Sequence, residues 1–326
     1  MIETPIKKAA DILRKGGIVA FPTETVYGLG ARVFDANAVA RIFSIKGRPF
    51  DNPLIVHITE WEQLRLLSPE VPKIANDLMK AFWPGPLTLV LKRLDAVPMM
   101  VSAGLATIAV RMPNHPIALS LIKVLNEPIV APSANRSGRP SPTSARYVYE
   151  ELGTAVDFIL DGGPCTVGLE STVLDLTTLP PRILRPGAIT AEALGSVIGE
   201  VTAYSERHQS VSSPGQRHAH YAPALKLILV ETDEWQVILQ EALQLGKKLG
   251  TISLGKGGHR GGHGGPPLHY CKVMADFSDY AKNLFTAFYE AEAEGVEILF
   301  VEKVAKEGLG VAIMDRLERA VTSCGG

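Results

Sequence analysis

Cysteine is scarce in this chain of 326 residues: there are three, Cys165, Cys271 and Cys324, far apart and with no CxxC pair. That excludes a disulfide framework and a cysteine-built zinc site, and reads as reduced intracellular thiols. Long apolar runs are lacking as well. The longest are strand-sized, far below the roughly 18 to 20 residues that span a bilayer, and the opening MIETPIKKAADILRKGG holds no signal-peptide core. We therefore expect a cytoplasmic protein without membrane contact. An excess of one charge is also missing, because the formal net charge is −1. No global field draws the chain onto nucleic acid, so any link to RNA must be local or metabolic. What is present is an ordinary globular balance, 46% hydrophobic and 21% charged, in a chain long enough for two cores.

Strands and helices alternate along the chain. Thr4 is expected to cap a first helix with Pro5 at its first position, Ile6, Ala9, Ala10 and Leu13 on one face, and Gly16-Gly17 as the stop. IVAF (18–21) reads as a buried strand, and residues 35–46 as a helix ended by Gly47. NPLIVHI, LTLVL, TIAV, IVA, FIL and STVLDL read as further strands, with HPIALSLIKVL and SARYVYEEL as helices between them. A Ser/His-rich, proline-containing stretch at about 204–223 reads as a linker. Beyond it KLILVE, a helix over about 235–248, GTISL, a helix over about 277–294 and VEILFVE form a second β-α-β-α-β series, closed by a helix over about 309–321. The expected layout is an α/β catalytic domain (1–203), the linker (204–223) and a smaller Rossmann-like α/β domain (224–326).

Five donor-rich segments fall in the first domain. PTETVYGLGA (22–31) sets two threonines, a carboxylate and a tyrosine after a buried strand; alone it reads as a turn into the next helix. In SIKGRPFDNPLIVHI (44–58), Lys46 and Arg48 flank a helix-ending glycine, a point charge and a planar fork suited to phosphate oxygens. In TIAVRMPNHP, Arg111 sits behind a buried strand. A charge there demands a carboxylate or phosphate partner, and protein and ligand are equally open as its source. APSANRSGRPSPTSA (131–145) is dense in hydroxyls and amides that can face an anion. LESTVLDL and ILRPGAI put Ser171 and Arg185 at strand edges. Together they indicate a site for a polyanion and a small polar molecule, as in a nucleotide-dependent synthetase without a P-loop.

The same segments, with WPGPLTLVL and the linker run SPGQRHAHYAP (213–223), resemble the YrdC-like family in its two-domain form, in order and over essentially the whole chain. The resemblance implies a YrdC-like twisted-sheet catalytic domain that makes threonylcarbamoyl-AMP from L-threonine, bicarbonate and ATP, releasing pyrophosphate. This is the first step of threonylcarbamoyladenosine formation at position 37 of transfer RNA. The family's Lys-x-Arg and Ser-x-Asn pairs fall on Lys46, Arg48, Ser133 and Asn135. Positions matching the family's threonine contacts are Thr25, His57, Arg111, Ala131 and Ser171. Those matching its ATP contacts are Arg48, Asn52, Thr107, Ser133, Ser141 and Arg185, with Tyr221 from the linker. Mg2+ is expected on the phosphates, with no metal site on the protein itself. The product is expected to pass to a tRNA threonylcarbamoyl transferase, and weak RNA binding is left open.

Other features argue for less. GTISLGKG (250–257) nearly fits a P-loop, but glycine replaces the magnesium-binding hydroxyl and GHRGGHGGPP cannot open the helix that holds phosphates. His259, His263 and His269 lie among glycines that impose no geometry. His218 and His220 suit a structural or gating role in the linker, and the aromatic spacing from Phe277 to Phe288 suits core packing. Two rivals remain at this point: an RNA-binding module built on the same cations, disfavoured by the net charge, and a carbamoyl-phosphate-using transferase, whose zinc-finger cysteines and acylphosphatase-like segment are absent from the sequence.

Overall fold

The helical spacing of Ile6, Ala9, Ala10 and Leu13 becomes α1 (Glu3–Arg14) in the computed structural model, which describes residues 3–204, 220–244, 246–255 and 268–324. The chain forms two units, one of residues 1–137 and 141–218, the other of residues 138–140 and 219–326. In the first, α1 is followed by β1 (Val19–Phe21), β2 (Gly28–Arg32), α2 (Ala36–Lys46), β3 (Ile55–His57), a 3-10 turn, α3 (Lys73–Phe82), β4 (Leu87–Lys92) and β5 (Thr107–Arg111). Then come α4 (Pro116–Leu125), β6 (Ile129–Val130), α5 (Ala145–Leu152), β7 (Phe158–Ile159), β8 (Thr172–Asp175), β9 (Arg182–Arg185) and α6 (Ala191–Ile198).

Among the described residues, nine strands make one mixed sheet in the order β7-β1-β2-β6-β3-β5-β4-β8-β9. Alternate residues of a strand face opposite sides, and here both sides are covered. Val19 and Phe21 of β1 pack in a cluster with Ala9 and Leu13 of α1 and Leu121 and Ile122 of α4. Ala20 belongs to the larger cluster with Ile42 and Phe43 of α2 and Leu78 of α3. Local chemistry fixes the helix ends. Asp35 accepts from the Ala38 N–H at 3.0 Å and Gly47, at φ 60°, closes α2; Pro116 opens α4 and Asn126, at φ 61°, ends it.

The second unit holds β10 (Lys226–Val230), α7 (Trp235–Leu243), β11 (Leu249–Leu254), β12 (Tyr270–Met274), α8 (Phe277–Ala293), β13 (Ile298–Glu302) and α9 (Leu309–Cys324). Its four described strands are all parallel, in the order β10-β13-β11-β12, the parallel α/β sheet expected of the smaller domain. Phe285 and Phe288 of α8 are fully buried, as their spacing suggests. Residues 138–140 count with this unit: Arg139 forks onto Glu292 at 2.9 and 2.6 Å, and the Pro140 carbonyl accepts from the Tyr289 hydroxyl at 2.8 Å.

Several local expectations need correction. α1 already includes Thr4, so Thr4 is not its cap. Pro5 is tolerated because the first turn's N–H groups have no intrahelical acceptor. GLGAR is a strand, not a turn into a helix: β2 pairs antiparallel with β1, and its glycines let neighbours close in. A Cβ on Gly30 would stand 2.8 Å from the Phe21 ring. α7 ends at Leu243, and β12 was not anticipated. The residues 205–219 of the expected linker, with His218, lie outside the described residues, as do His259, His263 and the end of the near P-loop.

Candidate active site

Strand register gathers the first group of side chains. Arg111 is the last residue of β5, opposite His57 of β3 and Thr88 of β4, at one end of the sheet. The turn after β1 reaches the same end: Gly168 N–H donates to the Thr25 carbonyl, and the Thr166 and Val167 N–H groups donate to that of Glu24. Arg111 is buried. Its Nε donates to the Gly85 carbonyl at 3.1 Å, its Nη1 to the Thr25 hydroxyl at 2.8 Å, and its Nη2 lies 2.6 Å from a Glu24 carboxylate oxygen. The partner left open by the sequence is thus, in the protein alone, Glu24. Ser171 sits on the neighbouring strand edge. Its hydroxyl is 2.7 Å from that of Thr88 and accepts from Arg185 Nη2 at 3.1 Å, while its carbonyl accepts from Arg185 Nε and Nη2.

The second group lies where α2 ends. Lys46 is buried, and its ammonium donates to the carbonyls of Ser133 and Asn135, each at 2.5 Å. The Ser137 N–H returns a bond to the Lys46 carbonyl, so helix end and Ser-x-Asn loop are stitched together. Burial, then the neighbouring charge of Arg48, pushes the Lys46 ammonium well below its usual range, with Glu151 and Glu170 acting the other way. Arg48 donates to the carbonyls of Asn52 and Pro53 at 3.2 and 2.9 Å, holding its own loop. The loop also pairs with the first group: Gly28 bridges to Ser133, the Ala134 N–H donates to the Tyr27 carbonyl, and that of Ala131 to Ile55. Ser141 donates to Glu170 at 2.5 Å.

Two families of comparison bear on this site. A family model described as telomere recombination, of the Sua5, YciO and YrdC proteins, matches residues 11–187, and one described as threonylcarbamoyl-AMP synthase, C-terminal domain, matches residues 189–322. The threonylcarbamoyl-AMP synthase of Pyrococcus abyssi is 45% identical, over 98% of this chain and 94% of its own length. The chain belongs to the threonylcarbamoyl-AMP synthase family. The Bacillus subtilis synthase is 42% identical over 97% of this chain and 92% of its own. A crystal structure of the P. abyssi protein complexed with L-threonine superposes with a TM-score of 0.91 at 44% identity, covering 98% of this chain and 94% of that one.

Thr25, His57, Arg111 and Ser171 gather around the C-terminal end of β5. Ala131 follows β6, with its N–H bonded to the Ile55 carbonyl at the start of β3. Lys46, Arg48, Asn52, Ser133, Asn135, Ser141 and Arg185 lie on the loops and strand ends described above. Thr107 lies toward the other end of β5, beside the start of β3, into which Asn52 and Pro53 lead. It opens β5, paired with Lys92 of β4, four residues from Arg111 and so roughly 13 Å along the strand. Tyr221 belongs to the second unit, stacked on Phe285 at 5.3 Å with the Arg316 guanidinium 5.5 Å from its ring centroid. His57 is kept neutral at ordinary pH: desolvation, then the charge of Arg111, lowers its pKa to about 3. It meets Phe21 edge-on and offers the site an uncharged ring. Desolvation, then Glu24, raises the Cys165 thiol to about 12, so it is no nucleophile at neutral pH.

Sequence reasoning missed Glu24, Thr88 and Glu170 as members of the site. Glu24 carried the same signal as Arg111, a charge directly after a buried strand, and the two could have been matched on that ground.

Proposed function

We propose that this chain condenses L-threonine, bicarbonate and ATP into threonylcarbamoyl-AMP and pyrophosphate, opening the route to threonylcarbamoyladenosine at position 37 of tRNA. The observation that carries the reading is Arg111: a buried guanidinium with an Nη2 that makes no hydrogen bond, beside Thr25 and His57. Such a group suits a small carboxylate. Arg111 would hold the threonine carboxylate, with Thr25, His57, Ala131 and Ser171 around the amino acid. Once the ammonium has given up a proton, the free amine attacks carbon dioxide formed from bicarbonate with loss of water. A second proton leaves the nitrogen, and the resulting carbamate oxygen attacks the α-phosphorus of ATP as pyrophosphate leaves.

Negative charge gathers at that phosphorus, so fixed cations, Lys46, Arg48 and Arg185, stabilise the transition state, and Ser133 and Asn135 orient the phosphates. Asn52, Thr107, Ser141 and Tyr221 complete the assigned ATP contacts. A carbamate and a mixed anhydride hydrolyse readily, so the site has to exclude water while they form. Mg2+ would come with the triphosphate. Glu24 stands against Arg111 and Glu170 accepts from Ser141, and no step here runs through a cation. The product is a labile adenylate and needs a transferase to consume it.

The experiment is a substrate competition. Incorporation of labelled bicarbonate into an AMP adduct, dependent on L-threonine, supports the reading. Turnover with carbamoyl phosphate in place of threonine and bicarbonate overturns it.

A further inference from the structure

Glu24 is the least explained charge in the first unit. Its side chain is 5% exposed, and neither carboxylate oxygen makes a hydrogen bond. Buried carboxylates are costly unless their oxygens are bonded, and most are. Arg111 Nη2 comes within 2.6 Å, but it too makes no hydrogen bond, so the two charges touch without a donor aligned on an acceptor. The contact is close in distance and poor in direction. Both partners keep bonding capacity unused, and they keep it side by side.

That is the complement of an amino-acid zwitterion. An α-amino acid carries an ammonium with three donors and a carboxylate with acceptors on the same carbon, its nitrogen and nearer oxygen roughly 2.7 Å apart by standard bond lengths. Arg111 and Glu24 present opposite charges at the same scale. Arg111 is held by its Nε bond to the Gly85 carbonyl and its Nη1 bond to the Thr25 hydroxyl, and the main chain of Glu24 by the Thr166 and Val167 N–H bonds to its carbonyl. Thr23 and Thr25 share a bond at 2.9 Å, and the Thr23 hydroxyl donates to the Val26 carbonyl, so the turn that carries Glu24 is locked.

We infer that Glu24 is a substrate-binding residue that takes the α-ammonium of the amino acid while Arg111 takes its carboxylate. This rests on the assignment of Arg111 to the substrate carboxylate. It adds a requirement that the Arg111 assignment alone does not make: the site selects for an amine as well as for an acid. Before binding, Glu24 and Arg111 neutralise each other, which lets two charges stay buried with no ligand present. On binding, each exchanges a misaligned contact for aligned, charge-assisted bonds.

The test is a cycle between a change in the protein and a change in the ligand, read by calorimetric titration of the full chain. L-threonine is compared with 3-hydroxybutyrate, which keeps the carboxylate and hydroxyl and lacks the amine, on the wild type and on Glu24→Gln. Removing the amine should weaken binding to the wild type by about 30-fold or more, the scale for one partner of a buried charge pair. In Glu24→Gln that discrimination should shrink by about tenfold or more. Equal weakening of both ligands by Glu24→Gln would mean that Glu24 only holds Arg111, and would overturn the proposal. So would unchanged threonine affinity, or tighter binding from an Arg111 set free. Wild-type protein that binds neither ligand would sink the Arg111 assignment instead, and the two failures are thus distinct. Should Glu24→Gln fail to fold, Glu24→Asp decides: it keeps the charge but withdraws it by one methylene, and discrimination equal to wild type would contradict the proposal.

Discussion

Replacing Arg111 by methionine removes the guanidinium and leaves its stem, so the perturbation falls on Glu24. With both residues almost wholly buried and 2.6 Å apart, the loss strands a carboxylate whose oxygens have no hydrogen-bond partner. Stranding one charge of a buried pair costs about 3–5 kcal/mol, whereas replacing both members by apolar residues of similar volume is often neutral. Arg111→Met should therefore destabilise the first unit by about 3–5 kcal/mol, and Glu24→Leu with Arg111→Met should return to within about 1 kcal/mol of the parent. The double variant should still be inactive, which separates stability from function. Urea unfolding followed by fluorescence reads the first unit alone in a Trp235→Phe background, since Trp61 and Trp83 then remain. Trp83 is a good reporter: it is buried, and its indole N–H donates to the Leu87 carbonyl at 2.7 Å, beside β4. If the single variant proves as stable as the double, the two side chains do not depend on each other and the reasoning fails.

Further outcomes follow from the same geometry. Lys46→Ala or Arg48→Ala should cut product formation by about 10²-fold or more; near-normal rates in either would remove that cation from the mechanism. His57, held near a pKa of about 3 against 6.5 unfolded, stays neutral in the folded chain while the unfolded chain takes up a proton. Its contribution to stability is therefore lost as pH falls below about 6.5, by at most about 1.4 kcal/mol per pH unit. His57→Asn should flatten the pH dependence of the urea midpoint between pH 6 and 4, and an unchanged slope would refute the assignment. Gly30→Ala should destabilise by about 1–3 kcal/mol, because its Cβ would meet the Phe21 ring at 2.8 Å and the Val19 carbonyl at 3.1 Å; a thermal melt matching wild type would contradict that packing.

Much of the fold is legible where local chemistry and burial agree. α2 announces itself through Asp35, its apolar face and Gly47, and β4, β5 and β8 through short apolar runs. β2 hid because three of its five residues are glycine or alanine, and its glycines serve close approach to Phe21 and Ala131 rather than strand propensity. β12 hid because its first four side chains alternate between half-buried and exposed, and only Met274 is buried. In the site, the cations were visible as types, but their directions were not. Nothing in Lys-Gly-Arg says that Lys46 turns to the Ser133 and Asn135 carbonyls while Arg48 turns back to Asn52 and Pro53. The Lys46 bonds depend on a loop 87 to 89 residues away in sequence, which only the sheet brings near. Glu24 was seen as a carboxylate, and its partner was not.

The most direct measurement is pyrophosphate release from ATP and bicarbonate by the full chain, with and without L-threonine, alongside mass detection of threonylcarbamoyl-AMP. The account predicts release that depends on threonine and is matched mole for mole by the adduct. Release that ignores threonine, with no adduct formed, would contradict it.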